Sequence, residues 1–171
     1  LARDFNQKDP DRVYSMDITQ INYNGSKKAY VAAVKDLCTK EIVSKSVSNR
    51  VDLKLSNSAL DKALRKLDLE ERRKLMIHSD QGLHFTHFSF RNKLLKNGVK
   101  QSMSRKGNCI DNAPIESFFG HFKDLLELEG CKNIRDIEKE VTRKIKYYNY
   151  DRPQLGLKKM PPIEYRRHLN L

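Results

Sequence analysis

Apolar and polar positions change period several times along the chain, and each change marks a predicted element. Val13 to Ile21 is apolar and β-favouring, which predicts a strand with Asp17 in its second half. Asn24-Gly25 is a strong hairpin signal. Lys28–Lys35 and Glu41–Val47 continue as two further strands, so a three-stranded antiparallel meander is expected. Leu60, Ala63, Leu64 and Leu67 then recur at helical spacing, predicting a helix over Ser56–Lys66 capped by Ser56 or Asn57. Glu70–Lys74 reads as a polar connection, and Leu75–Ile77 as a short buried strand that delivers Asp80 at its end. Thr86–Lys96 reads as a helix closing at Asn97-Gly98, and Val99–Met103 as one more strand. Helices follow over Ala113–Leu128, with Pro114 in the first turn, and over Ile134–Tyr148. The remainder reads as an irregular tail rich in Pro and basic residues.

Three strands, a helix, a strand and then helices predict a mixed α/β layer architecture with a central sheet. Asp17 on the first strand and Asp80 at the end of a later one are then expected as sheet neighbours. Glu116 would approach from a helix packed across the sheet edge. With 171 residues the chain is long enough for one domain with its own core, read here as spanning residues 1–171.

Charge changes the picture more than composition does. The formal net charge is +12, which makes a polyanion the first partner to consider. The charge is uneven: residues 1–80 carry +4 and residues 81–171 carry +8. From Gln81 to Ile110 there are six basic residues and no acid, a run that reads either as a solvated basic face or as a nucleic-acid surface. Three scattered cysteines (Cys38, Cys109, Cys131) argue against a disulfide framework and fit a reducing, cytoplasmic compartment. The longest apolar stretch, Ala29–Val34, is far too short to span a bilayer. The opening Leu-Ala-Arg-Asp-Phe has neither an initiator Met nor a signal-like region, so the chain is expected to be a fragment of something longer.

Against this basic background three acids stand out. Asp80 lies in Met76-Ile-His-Ser-Asp-Gln-Gly82, and Glu116 follows after 35 residues that contain one other acid, Asp111. Asp17 lies upstream in Val13-Tyr-Ser-Met-Asp-Ile-Thr19. Taken singly, Asp80 reads as a turn residue before Gly82 and Glu116 as an exposed helix acid. Taken together they suit divalent metal held beside a phosphate: Mg²⁺ prefers oxygen ligands, keeps several waters and needs few carboxylates. Two such ions can clamp the attacking and leaving oxygens of an in-line phosphoryl displacement. Asp17 on a central strand is the choice for a bridging ligand, with Asp80 and Glu116 each completing one metal.

Glu116, Gly120 and Lys123 stand at i, i+4 and i+7 and share one helix face. Gly in mid-helix costs roughly 1 kcal/mol relative to Ala, which either close approach of a sugar-phosphate chain or crowding against the sheet would explain. Ser102–Asn108 is a polar, basic loop with donors for phosphate, notably Arg105 and Lys106. Asp111-Asn112 is expected to cap the following helix, and Arg105, Lys106, Asn112 and Lys123 are the candidate DNA contacts. His84-x-x-His87 with Cys109 imitates a zinc site, but no paired Cys-x-x-Cys accompanies it.

Read in series, Met16-Asp-Ile-Thr19, His78-Ser-Asp-Gln-Gly82, Ser102-Met-Ser-Arg-Lys-Gly-Asn108, Asp111-Asn-Ala113, Glu116-Ser-Phe-Phe119 and Tyr148-Asn149 with Arg152 resemble a known family. The chain is similar to the integrase-core transposases of bacterial insertion sequences, of the IS-three type. These are DDE recombinases related to retroviral integrases with an RNase H-like fold. The resemblance covers nearly the whole chain. It departs modestly at Tyr14, where a Trp is usual, at Thr39-Lys40 in place of Ser-Arg, and at Leu83–His87; no catalytic ligand is lost.

The resemblance implies that Asp17, Asp80 and Glu116 form the metal-binding catalytic triad, using two Mg²⁺ or Mn²⁺ ions, with Lys123 on DNA. It implies cleavage at transposon 3′ ends followed by attack of the new 3′-OH on another phosphodiester, within a homo-oligomer at the bacterial nucleoid. Sequence-specific DNA-binding regions of the family lie N-terminal to this core. The alternatives are an RNase H-like nuclease without strand transfer and a catalytically silent DNA-binding domain.

Overall fold

β1 (Val13–Tyr23) runs through the middle of a five-stranded sheet. It pairs antiparallel with β2 (Lys27–Asp36), which in turn pairs with β3 (Ile42–Ser48). On its other edge β1 pairs parallel with β4 (Met76–Ser79), and β4 with β5 (Lys100–Met103), giving the order β3-β2-β1-β4-β5. The computed structural model describes residues 5–104 and 112–169. The meander forms as expected, and Asn24 (φ 43°) and Gly25 (φ 77°) supply the two left-handed positions its first turn demands.

Side chains alternate across the two central strands, and each face has its own helical layer. Tyr14, Met16, Ala32 and Val34 pack with α1 (Leu53–Leu64) and α4 (Phe88–Lys96). Ile21, Ala29, Val31 and Ala33 pack with α5 (Ala113–Leu125) and α6 (Ile134–Tyr150). The sheet is therefore buried on both sides, in the α/β layering the sequence predicts.

The helix boundaries show where local chemistry outweighs periodicity. α1 starts at Leu53, not at Ser56, because Asp52 is extended and its carboxylate accepts the Leu55 N–H at 2.9 Å. The expected polar connection at Glu70–Lys74 is a helix, α2 (Leu69–Lys74), held by a capping box between Asp68 and Glu71. None of its side chains is buried, so it has no apolar period to read. The single helix expected over Thr86–Lys96 is split into α3 (Leu83–Thr86) and α4. His87 breaks it by turning extended, with its ring Nδ1 accepting the Ser89 N–H at 3.1 Å. α5 stops at Leu125, three residues early, since the Glu127 N–H is taken by the Glu140 carboxylate at 2.9 Å.

The expected irregular tail contains a 3₁₀ turn at Leu155–Leu157 and a further helix, α7 (Pro162–Leu169). What orders α7 is charge rather than an apolar stripe. Arg166 reaches Asp11 at 2.7 Å, Asp36 at 2.9 Å and Glu41 at 2.7 Å, joining the tail to the start of β1 and the turn after β2. Asp36 is fully buried; burial pushes its carboxyl up to about 6, while the Thr39 hydroxyl and Arg166 pull it back. Asn149, near the end of α6, accepts the Ile42 N–H at 2.9 Å and donates to the Ile42 carbonyl at 3.0 Å, next to the β2–β3 register shift. It replaces backbone partners that the irregularity removes.

Removing Arg166 strands a buried carboxylate. Arg166→Met is expected to lower the unfolding free energy by roughly 3–5 kcal/mol in denaturant titration. Adding Asp36→Asn to that variant should recover part of the loss, as a double-mutant cycle reveals.

Candidate active site

Asp17 sits where β1 passes the end of β4. The parallel register pairs Met16 with Ser79, so Asp17 and Asp80 occupy the next rung, just beyond the last pair. Asp17 is partly buried, and its Oδ1 accepts the Ile18 N–H at 2.7 Å. Asp80 begins the loop after β4, and its Oδ1 accepts the Gly82 N–H at 2.9 Å. A Cβ at position 82 would lie 3.0 Å from that same oxygen, so Gly82 leaves room for the carboxylate. β4 and the loop after it are tied to β5 and its end: His78 Nδ1 meets the Ser102 hydroxyl at 3.0 Å, and the Gln81 side chain donates to the Ser104 carbonyl at 3.0 Å.

Glu116 comes from the first turn of α5, which crosses the β1 face carrying the odd-numbered residues. It is exposed, as are Gly120 and Lys123 on the same stripe, while Ile115, Phe118, Phe119 and Phe122 anchor the helix to the sheet. A Cβ on Gly120 would meet nothing within 4 Å. Crowding against the sheet therefore does not explain this glycine, and its bare backbone faces outward.

Electrostatics tie the three acids together. Burial pushes the Asp17 carboxyl up to about 7; the charges of Asp80 and Glu116 push the same way, and the Ile18 N–H and Lys123 oppose them. Among the described residues, no three His, Cys, Asp or Glu side chains stand close enough to hold a metal ion as they are. The donor set nevertheless fits Mg²⁺: hard carboxylate oxygens, few in number, open on one side to water and phosphate. A metal would also remove the repulsion that keeps such groups apart.

The remaining sequence candidates fall differently. Arg105 and Lys106, with Asp111 and Cys109, lie outside the described residues. Asn112 is 2% exposed, and its Oδ1 accepts the Ser15 hydroxyl at 3.0 Å, so its side chain is turned to the sheet rather than outward. It is the N-cap of α5 by position, yet its side chain makes no capping bond to the helix. His87 spends its ring nitrogen on the start of α4.

Two residues escaped the sequence reading. Ser15 and Lys35 face each other across β1 and β2, on the side of the sheet that α5 covers. Lys35 is 6% exposed; its Nζ donates to the Pro114 carbonyl at 2.8 Å and lies 5.8 Å from the centre of the Phe118 ring. The signal was a lysine at an inward position, continuing the Ala29, Val31, Ala33 alternation.

With this geometry in view, comparison with known proteins is decisive. A model of the Integrase core domain family matches residues 7–109, and a second model of the same description matches residues 97–162. The chain belongs to the integrase core domain family. It is 41% identical over 167 residues to a candidate transposase, InsK, of insertion sequence element IS150 in Escherichia coli K12, covering 97% of this chain and 58% of that protein. A transposase-like protein of Haemophilus influenzae is 34% identical, with 97% of this chain and 76% of that protein covered.

Among solved structures, the catalytic core domain of HTLV-2 integrase in complex with magnesium superposes with a TM-score of 0.72 at 17% identity, covering 92% of this chain and 97% of that one. A chain of a simian T-cell lymphotropic virus intasome, in complex with PP2A regulatory subunit B56 gamma, superposes with a TM-score of 0.80 at 14% identity, covering 94% of this chain and 56% of that one. These structures establish the RNase H-like fold, and the family match with the transposase relatives bears out the sequence resemblance.

The raised Asp17 proton affinity has a measurable sign. Between about pH 4 and 7 the folded chain keeps a proton on Asp17 that the unfolded chain has lost, so this group's contribution to stability falls as pH rises through that window. Asp17→Asn should therefore stabilise the metal-free core above pH 7 by roughly 1–3 kcal/mol, an advantage that disappears towards pH 4. Denaturant unfolding of both chains in chelator across this range checks it.

Proposed function

We propose that this chain is the catalytic core of a metal-dependent DDE transposase, using Asp17, Asp80 and Glu116 as its catalytic and metal-binding triad. The observation that carries the reading is geometric: Asp17 and Asp80 stand on the rung just beyond the last β1–β4 pair, and α5 brings Glu116 across the same face, so that after burial the charges of both acids raise the Asp17 proton affinity. Acids gathered in this way repel one another unless a cation stands among them. That the HTLV-2 core is known in complex with magnesium supports the choice of Mg²⁺ or Mn²⁺, with two ions as the reading for this chain.

Bound divalent metal supplies Lewis-acid stabilisation of the attacking and leaving oxygens. The chain's own residues provide placement. β1 fixes Asp17 and the Gly82 N–H orients Asp80, while α5 presents Glu116 and, two turns on, Lys123 to the same strand of DNA. In the first step a water oxygen bonds to phosphorus as the bond to the transposon's 3′ oxygen breaks, leaving a 3′-OH and a 5′-phosphate. In the second, that 3′-OH attacks another phosphodiester and displaces a different 3′ oxygen. Both are in-line displacements at the same point, so one rigid site serves for each.

Lys123 is assigned to phosphate contact, together with Arg105 and Lys106 from the basic loop. Asn112 supports the site from within. The partner is DNA, at the transposon end and at the target. HTLV-2 core structures are described as dimeric and trimeric, which supports a homo-oligomer as the working state. No described helix is long and apolar enough to cross a membrane, and the bacterial nucleoid is the proposed place of action. Residues 1–171 are read as one catalytic domain.

Asp80→Asn should reduce Mn²⁺-dependent cutting of labelled duplex DNA by at least about 10²-fold while leaving DNA retention on filters unchanged. Full activity in that variant overturns the triad. Joined products from a donor with a free 3′-OH separate a transposase from a simple nuclease. Lys123→Gln is expected to weaken DNA retention across all sequences and to flatten the plot of log affinity against log salt by about 0.9.

A further inference from the structure

Two residues before Asp17 and two before Glu116 the chain takes part in a polar bond between sheet and helix. Ser15 precedes Asp17 on the same face of β1, and Pro114 precedes Glu116 in the first turn of α5. Around them the sheet and the helix are joined by two polar bonds rather than by packing alone. The Ser15 hydroxyl reaches Asn112 at 3.0 Å, and the Lys35 ammonium reaches the Pro114 carbonyl at 2.8 Å. Ser15 and Lys35 are themselves directly paired across β1 and β2, so the two bonds rise side by side from one rung of the sheet.

This arrangement is expensive for a core. An ammonium on a residue only 6% exposed carries a desolvation cost that a methionine of similar length avoids. It lies beside the start of a helix, where the macrodipole disfavours a cation. Burial, then the charges of Lys40 and Arg152, push it down to about 7. Among the described residues no acid forms a salt bridge with Lys35; its ammonium meets the Pro114 carbonyl and the Phe118 ring. Apolar contacts from Ile115, Phe118 and Phe122 already hold the helix down, but they tolerate sliding. Directional bonds to its first turn do not.

We propose that Lys35 and Ser15 are positioning residues for catalysis: their bonds to Pro114 and Asn112 lock the first turn of α5 in register on β1 and so set the separation of Glu116 from Asp17. The inference rests on the triad reading above. It adds two residues that touch neither metal nor DNA, and makes metal affinity depend on a buried lysine beneath the helix.

The test compares Lys35→Met, Ser15→Ala and Asp17→Asn in this chain. Mn²⁺ binding is measured by calorimetry, amide exchange by mass spectrometry and DNA retention on filters. Lys35→Met and Ser15→Ala should weaken Mn²⁺ binding by about 10-fold or more, as loss of outer supporting bonds does at other metal sites. Exchange should quicken in the first turn of α5 while α6 stays protected and DNA retention stays as in the parent. A purely structural role would instead quicken exchange throughout the core and lower the unfolding midpoint without a selective change in metal affinity. Parental Mn²⁺ affinity and a protected first turn in both variants overturn the proposal. Ser15→Ala, which removes one hydroxyl, decides the matter if Lys35→Met does not fold. If Asp17→Asn also binds Mn²⁺ as the parent does, the triad reading itself fails. If Asp17→Asn loses the metal while the other two keep it, only the positioning role is lost.

Discussion

β1 is hydrogen-bonded antiparallel to β2 along its length and parallel to β4 over Val13–Met16, and its two faces are covered by separate helical layers. A strand held on four sides cannot shift its register without turning its inward residues to the wrong layer. Asp17 is thereby fixed at one height in the sheet. The end of β4 then sets Asp80 beside it, and α5, packed across the same face, brings Glu116 to it. Three acids from distant parts of the chain share one region because a single strand is immobile.

Gathering acids in this way works against stability, and the rest of the chain offsets it. The surroundings are basic, with +8 on the second half of the chain, and Lys123 stands near enough to lower the proton affinity of Asp17. Apolar packing on both sheet faces supplies the bulk of the stability, which leaves room for a locally unfavourable cluster. A second buried cluster of charge, around Arg166, is of a different kind. There each acid faces the guanidinium, the cation is already present, and the effect is to fasten the tail to the sheet.

How much of this was legible in the sequence depended on what held each part. Elements held by apolar alternation or by strong turn signals, such as the meander and its Asn24-Gly25 turn, were readable. α2 was not read because it buries nothing, although Asp68 and Glu71 spelled out its capping box. The break at His87 and the early end of α5 turn on single hydrogen bonds that periodicity does not carry. α7 is ordered by Arg166 meeting acids more than a hundred residues away, which no local window contains. The three acids stood out by their local wording, and the structure sets Asp17 and Asp80 on neighbouring strands with Glu116 on the helix across the same face. Asn112 was expected among the DNA contacts and in the cap of α5; its burial against Ser15 is a tertiary fact. Lys35 was passed over as one more charge in a basic chain, when its inward register was the informative property.

The central claim is that the acids of β1, the β4 end and α5 jointly bind catalytic metal. A crystal structure of this chain soaked in Mn²⁺, with the metal located by its anomalous scattering, tests that most directly. The account predicts metal density with carboxylate oxygens of Asp17 and Asp80 at about 2.0–2.3 Å and Glu116 drawn into the same cluster. Metal found elsewhere, or bound without Asp17, would contradict it.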